Sequence, residues 1–502
     1  MRTSSVLRVL RRSRVLAALA VAPLLAGCFS SGGGEQGAGG GARLRVALAF
    51  PPAERLSPYG ADGTILSRLG ITESLTALDG NGAAAPALAS SWRQEGARSW
   101  LFTLREAAFH DGTAVTAQAV AASLAQAARA RPAPAAVSGV ELTAEAVDRH
   151  RLRITTGRPD PILPLRLSSP GLAVLSAKAY AHRGTVDPAG SGTGPFVLKK
   201  VNGTASATLQ RYDGYWGGRA RAAGIDVRFV ADGTARTNAL RSGDVDIAEA
   251  VPVAQAATLD AGARRETATA RTTSLLLNSR SGPFRDAGLR AAARAAVDTS
   301  GLARGVYEGH ADRGAGIYGP AVTWAEGKHL RPGGRAAAKP ADGTAVTLAT
   351  YDNRPELPEV AQVLKQQLEK AGFRVRLVVR EYSRLESDAL AGKFDAFVLA
   401  RNSLVDTGDP VAVLAGDYTC DGGYNLALLC DRGVDRAVAA AERTADPAER
   451  RTAALRAEAA ILGTDTVVPL VHQRVITGVG SAVKGVLLDP YERALVGTGT
   501  RR

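Results

Sequence analysis

The chain is poor in the side chains from which most enzymes and metal centres are built. Its 502 residues include six histidines, three cysteines and one methionine, and 5% are aromatic. His110, His150, His182, His310, His329 and His472 form no pair at metal-ligand spacing and no HExxH helix, so no resident metal or other cofactor is expected. A GxSxG elbow is absent, which removes the usual nucleophile signature of α/β hydrolases. No GxxxxGK[ST] loop occurs, so ATP hydrolysis is left to other chains. Beyond residue 28 no apolar run approaches 18 residues, which excludes a second membrane span. Acidic residues are the scarcer charge, 48 against 62 basic, for a formal net charge of +14. The basic residues lie scattered among acids and alanines, without the basic–aromatic runs of nucleic-acid binders, so no nucleic-acid partner is expected.

What is present begins at the N-terminus. Residues 1–14 carry five arginines and no acid, Val15 to Ala26 is apolar apart from Pro23, and Leu25-Ala26-Gly27-Cys28 follows. A basic start, a short apolar run and small residues before a cleavage point predict a signal peptide over residues 1–27. Its ending resembles the bacterial lipoprotein box, which implies a lipidated Cys28. Two or more acyl chains hold a protein durably on a membrane. Residues 28–43 then form a Gly/Ser-rich tether with nothing to bury. Without the five signal arginines the balance is 57 basic against 48 acidic, or +9, and a mildly positive surface suits an anionic cell envelope. Cys420 and Cys430, in DYTCDGGYNLALLCD, are the remaining thiols. In an exported protein a disulfide is the default, and the competing metal site lacks a nearby histidine. Closing so short a loop contributes about 2.5–3 kcal/mol on a chain-entropy basis.

A body of roughly 460 residues exceeds a single core and is expected to divide into two or three domains. Leu44, Val46 and Leu48 alternate as an opening strand. Val197–Val201, Asn202-Gly203 and Ala205–Leu209 predict a hairpin with a type I′ turn. Thr234–Ser242 reads as a helix closed by Gly243, before a strand over Val245–Ala248. Val346–Tyr351 predicts a strand, and Glu356–Ala371 a helix with Val360, Leu364 and Leu368 on one face. Gly372 is placed as a left-handed C-cap. Alternation from Phe373 to Val379, a helix near Leu385–Leu390 and a strand over Phe394–Ala400 complete a β-α-β-α-β unit with a mostly parallel sheet. Asp446-Pro447 with Glu449 carries helix-start chemistry, with Leu455, Ala459 and Leu462 as the buried face.

Three polar segments stand out. GSGTGP at 190–195 has the glycines of a phosphate loop without its lysine or its helix, so a tight turn is expected. His110-Asp111-Gly112 reads as a turn closing a hairpin. RNSLVDTGDP, residues 401–410, leaves the last strand of the α/β unit at its carboxyl end, the edge where open α/β sheets collect ligands. It offers Arg401, Asn402, Asp406, Asp409 and two hydroxyls. That set suits a polar ligand, and the two aspartates equally suit a turn and a helix cap.

Seven further stretches run in a recognisable order: residues 71–123 from ITESLTALDG to AVAAS, GTGPF at 192–196, YDGYWGG at 212–218, ALRSGDVDIAEA at 239–250, LLLNSRSGPFRDAGLRAAARAAVD at 275–298, DTGDP at 406–410 and VKGVLLDP at 483–490. Together they resemble the extracellular solute-binding proteins, family 5, of ABC importers: the dipeptide, oligopeptide and nickel group. The resemblance implies a two-lobed, periplasmic-binding-protein-like α/β fold (class II, cluster C type) with an extra N-terminal subdomain. On that pattern residues 44–268 form lobe I with a subdomain inserted at about 60–185, residues 269–472 form lobe II, and residues 473–502 return to lobe I. Two chain crossings serve as a hinge, and the lobes close on ligand.

The resemblance also implies binding without catalysis. Asp406 falls where dipeptide binders place the acid for the ligand's α-ammonium. The arginine they use for its carboxylate aligns with Tyr351, leaving Arg354 three residues on as the substitute. Trp324, in IYGPAVTW, is either a pocket wall or a packing residue, and Trp92, Trp100 and Trp216 are expected in cores. His472 is either a candidate for a nickel chelate or a hydrogen-bonding residue at the hinge. The implied partners are a peptide or similar small polar solute, separate permease and ATPase subunits, and the membrane through the lipid. The protein is expected as a monomer on the outer face of the cytoplasmic membrane. A surface hydrolase and a peptide sensor are the rival readings.

Overall fold

The computed structural model describes residues 41–502 apart from Arg183 and Ser281; the expected signal peptide, Cys28 and most of the tether lie outside the described residues. Among the described residues no helix is long and apolar enough to cross a membrane.

The apolar strand Leu44–Leu48 pairs in parallel with Gly224–Phe229 on one side and Ile247–Ala248 on the other. The hairpin Phe196–Asn202 with Ser206–Arg211 completes that end of the sheet. Its turn differs from the sequence expectation. Only Gly203 is left-handed, at φ 52°, while Asn202 stays in the strand. A type I′ turn needs two consecutive left-handed residues, so the loop closes later, with the Ala205 N–H donating to the Asn202 carbonyl. The strand expected over Val245–Ala248 is trimmed to Ile247–Ala248, because the Val245 N–H is taken by the Ala239 carbonyl at the preceding helix end.

The β-α-β-α-β unit is present as Ala345–Tyr351, Glu356–Lys370, Arg374–Arg380, Glu386–Leu390 and Ala396–Asn402. Its strands are parallel, with Ala345–Tyr351 in the middle. Val360, Leu364 and Leu368 are buried, and Gly372 has φ 96° at the helix end. Asp446 caps Pro447–Gly463 by accepting from Ala448 and Glu449 N–H.

Two long strands, Arg264–Leu277 and Val467–Val479, join the two ends into one eleven-stranded sheet. Their antiparallel ladder is interrupted: Arg264–Ala268 pairs with Gly478–Arg474, and regular pairing resumes only at Thr272 and His472. The gap is filled by the chain returning near its C-terminus, where the Pro490 carbonyl accepts from the Ala270 N–H.

Three apolar cores lie under this frame. One gathers Val46, Phe196, Leu209, Ile225 and Val496. A second, around Leu75, Phe102, Val120, Ile154 and Leu172, belongs to a four-stranded antiparallel sheet, Ala89–Gly96 to Arg151–Thr156, with the helix Ala117–Arg129. The largest holds Leu275, Leu348, Leu364, Val398 and Ile461 and continues past the crossing to Ala47 and Val251. The expected turns also form. His110-Asp111-Gly112 closes a tight bend, with the Gly112 N–H donating to the Phe109 carbonyl. A Cβ on Gly192 or Gly194 would meet the carbonyl oxygens of Ile71 or Gly70 at 2.3 Å, which explains the glycines of GTGPF by close backbone approach.

Candidate functional site

Strands Ala345–Tyr351 and Ala396–Asn402 run side by side in the same direction, so the residues that follow them emerge at one sheet edge. Arg401 is the cation of that edge. Its Nε and Nη2 donate to Asp417 at 2.9 and 3.4 Å, and Nη2 also donates to Asp406 at 2.9 Å. Burial opposes the Arg401 charge, but Asp417 and Asp406 outweigh it and hold its pKa well above the usual value. For Asp417 burial wins, and its carboxyl is pushed up despite Arg401. The guanidinium lies 4.9 Å over the Tyr424 ring, a cation–π contact. Tyr424 shares a hydroxyl contact with Tyr382, whose ring stands edge-on to Tyr351 at 4.9 Å. Tyr424 belongs to the loop closed by the Cys420–Cys430 disulfide, S–S 2.08 Å.

The polar residues of the 401–410 segment separate by role. Asp406 is 39% exposed, and Arg401 is its one hydrogen-bonding partner among the described residues. Asp409 is buried and fully engaged. It caps the helix Pro410–Tyr418 by accepting from the Ala412 N–H at 2.9 Å, and both its oxygens meet Arg450 at 2.7 Å. Buried, with both oxygens accepting within the protein, Asp409 acts here as the helix cap and the partner of Arg450, the alternative its spacing also allowed. Asn402 is likewise committed. Its amide donates to the Tyr491 carbonyl and the Glu492 carboxylate, and its oxygen accepts from the Leu404 N–H. Trp324 packs against Tyr318 at 5.1 Å with Arg451 at 5.8 Å from its ring. It lines neither cavity described below.

Arg354 has a different environment. Half-buried, its side chain makes no hydrogen bond or ion pair among the described residues, and its guanidinium sits 5.6 Å from the Phe50 ring. Burial, and then the neighbouring Arg271, lower its pKa. It lines a cavity of about 20 Å³ with Phe50, Arg236, Glu356 and Gln473. The Gln473 side chain is 7% exposed, and its amide oxygen has no partner. A second cavity of about 10 Å³ lies behind Arg401, against Thr272, Ser274 and Ser403. Each volume admits one or two waters and no peptide, so a peptide enters only if the walls part.

The interrupted ladder is tied by charge. Arg271 Nε and Nη2 meet Glu492 at 3.0 and 2.8 Å. Burial pushes the Glu492 carboxyl up, but Arg271, with Arg354 and Arg68 beyond it, wins and holds it at about 2. His472 accepts from the Ala315 N–H through Nε2 at 3.1 Å, which makes Nδ1 the protonated nitrogen, donating to Thr272 Oγ1 at 2.9 Å. Both ring nitrogens are hydrogen-bonded within the protein. No group of three or more His, Cys, Asp or Glu side chains suited to a metal occurs among the described residues. Glu492 and Arg493 are absent from the sequence-derived set. Their one sequence signal is a pair of adjacent opposite charges just after Asp489-Pro490.

The family model described as bacterial extracellular solute-binding proteins, family 5 Middle, matches residues 83–425. A probable D,D-dipeptide-binding periplasmic protein of Escherichia coli (strain K12) is 26% identical over 467 residues, covering 88% of this chain and 87% of the relative. The nickel-binding protein NikA of Staphylococcus aureus (strain NCTC 8325 / PS 47) is 24% identical over 423 residues, covering 82% and 84%. Among solved structures, NikA from Staphylococcus aureus in complex with Ni(L-His)2 superposes with a TM-score of 0.79 at 21% identity, covering 92% of this chain and 99% of that one. A dipeptide binding protein from Pseudoalteromonas sp. SM9913 in complex with Met-Leu also gives 0.79, at 18% identity and 91% and 99% coverage. The fold is that of the two-lobed periplasmic binding proteins. With more than half of its length matched, the chain belongs to the bacterial extracellular solute-binding proteins, family 5.

Proposed function

We propose that this protein captures free peptides, or a closely similar small zwitterion, between its two lobes and passes them intact to the permease and ATPase subunits of an ABC importer. The observation that carries this reading is a pair of opposite charges at one sheet edge, each available to a ligand. The Arg354 guanidinium makes no hydrogen bond or close ion pair among the described residues, and the Glu492 and Glu356 carboxylates act on it only from a distance. Asp406 shares an arginine that Asp417 continues to hold when Asp406 lets go. An α-ammonium and a carboxylate are the two charges common to all free peptides, so pairing both selects the class whatever the side chains. Closure excludes water and strengthens each pair, although desolvation takes back much of the gain.

The relatives named for dipeptides, di/tripeptides and glutathione agree with this reading. A nickel chelate has less support, because His472 has no free nitrogen and the chelate would have to be held through its organic ligands. In this reading the protein catalyses nothing and works as a monomer. Residues 44–268 with 473–502 form one lobe, bearing the subdomain at about 60–185. Residues 269–472 form the other, and the two swing about the interrupted ladder. Lipid on Cys28 holds the body by its tether to the outer face of the cytoplasmic membrane.

Two experiments test it. Native mass spectrometry of the purified protein, followed by calorimetry with Met-Leu, N-acetyl-Met-Leu and Met-Leu amide, is expected to show a clear preference for the free-ended dipeptide. Equal binding or no binding across a panel of such triplets removes the peptide reading. Cys28→Ser is expected to release the protein or leave it unprocessed, and normal membrane retention removes the anchor.

A further inference from the structure

The return segment VKGVLLDPYER carries no ligand group in the reading above, yet its last residues touch three parts of the molecule at once. Asp489 organises the turn by accepting from the N–H groups of Tyr491, Arg493 and Ala494. Glu492, a non-glycine residue held left-handed at φ 59°, points to Arg271 and Asn402. Arg493 points the other way and is 8% exposed. Its Nε donates to the Val405 carbonyl at 3.0 Å and its Nη2 to the Leu404 carbonyl at 2.9 Å. Its Nη1 donates to the Ser168 carbonyl and hydroxyl at 3.2 and 3.0 Å. No carboxylate is hydrogen-bonded to its guanidinium, since Asp489 is spent on backbone N–H groups.

A guanidinium hydrogen-bonded to carbonyl and hydroxyl oxygens alone is a costly way to stabilise a fold, because burial outweighs the longer-range attraction of Asp489 and Asp406. What it secures is geometric. Four hydrogen bonds from one rigid plane fix two successive carbonyls of the 401–410 segment, immediately before Asp406, and tie them to Ser168 of the subdomain. Gly408, two residues past Asp406, approaches the subdomain at the same place, where a Cβ would meet the Leu78 side chain at 2.5 Å.

We propose that Arg493 is the positioning residue for the Asp406 end of the site. It clamps the Leu404–Val405 backbone between the return segment and the subdomain, so that Asp406 is presented in the cleft only when these three parts meet. The role rests on the peptide reading for the identity of the ligand, but the clamp itself does not.

The test compares wild type, Arg493→Gln and Arg493→Lys as full-length mature chains. Hydrogen exchange without peptide, followed at residues 403–408, is expected to be at least tenfold faster in Arg493→Gln, and equal rates overturn the clamp. Stopped-flow binding of Met-Leu is expected to show dissociation about tenfold faster with little change in association. The preference for Met-Leu over N-acetyl-Met-Leu should shrink in parallel. Loss of affinity that leaves that preference intact marks a merely structural residue and overturns the positioning role. If Arg493→Gln does not fold, Arg493→Lys is read in the same way, since an ammonium cannot span both carbonyls and Ser168. If wild type binds no dipeptide, the peptide reading fails, while the exchange comparison still decides the clamp.

Discussion

Asp406 and Asp417 hold the same guanidinium unequally. Arg401 meets Asp417 through two nitrogens and Asp406 through one. The difference matters because the two carboxylates differ in access: Asp417 is buried, and Asp406 is 39% exposed. A ligand ammonium can take Asp406 without leaving Arg401 unpaired. The buried half of the network keeps the cation satisfied while the exposed half changes partner.

Asp406→Asn therefore removes a charge from the ligand side while Arg401 stays paired with Asp417. Binding of free-amine dipeptides is expected to weaken by about 1.5–3 kcal/mol, the range for a hydrogen bond to a charged group. Binding of N-acetylated dipeptides should change little, and the melting temperature of the unliganded protein should stay close to that of wild type. Calorimetry with both peptide forms reads the difference, and equal losses for the two place Asp406 outside the site.

Arg354→Met tests the opposite pole. Loss of this cation is expected to cost about 1.5–3 kcal/mol against peptides with a free carboxylate and little against their amides. It should also raise the melting temperature of the unliganded protein by about 1–2 °C, because burial and the nearby Arg271 disfavour this charge more than Glu492 and Glu356 favour it. A variant that melts lower and binds both forms as before assigns Arg354 to packing.

Asp409→Ala is expected to behave as a stability variant. It removes two of the five hydrogen bonds of the Arg450 guanidinium and leaves three, all from Nη1 to the carbonyls of Ala441, Glu442 and Thr444. Breaking one side of a buried pair costs about 3–5 kcal/mol. Chemical denaturation should show that loss. Asp409→Leu with Arg450→Met should recover much of it, and the folded fraction should bind peptide as wild type does. Selective loss of peptide binding at unchanged stability would return Asp409 to the site.

Local elements were legible because their signals are local. Gly372 ends a helix in the left-handed region, and Asp446 caps the next long helix. The apolar face at Val360, Leu364 and Leu368 is buried as its spacing requires. Asp406 and Asp409 illustrate the limit. Three residues apart and chemically identical, they separate only because Arg450, some forty positions later, folds onto one of them. The same holds for Asn402, whose partners lie in the return segment. The Asn202-Gly203 turn misled for a smaller reason, since a single left-handed glycine sufficed for the hairpin. Long-range pairing of polar groups has no period in the chain, so neither the clamp at Arg493 nor the tie between Arg271 and Glu492 could be read from spacing.

The interrupted ladder also sets an acid limit on stability. His472 is buried with its Nε2 lone pair accepting a backbone N–H. Burial, helped by the His329 charge and opposed by Asp312, lowers its pKa to about 4 from the ordinary 6.5. Between pH 6.5 and about 4 the unfolded chain therefore binds a proton that the folded one refuses, and stability falls as pH falls through that window. The full effect is about 3 kcal/mol. Glu492 acts lower down. Its folded carboxyl sits at about 2 against an ordinary 4.5, so its contribution is complete above about 4.5 and is lost on further acidification. Thermal melts of wild type and His472→Gln from pH 7.5 to pH 4 separate the two. The variant is expected to melt lower at neutral pH and to show a flatter profile down to about pH 4.5, below which the curves run together. Parallel profiles over the whole range would mean that His472 takes up its proton as readily in the folded chain as in the unfolded one.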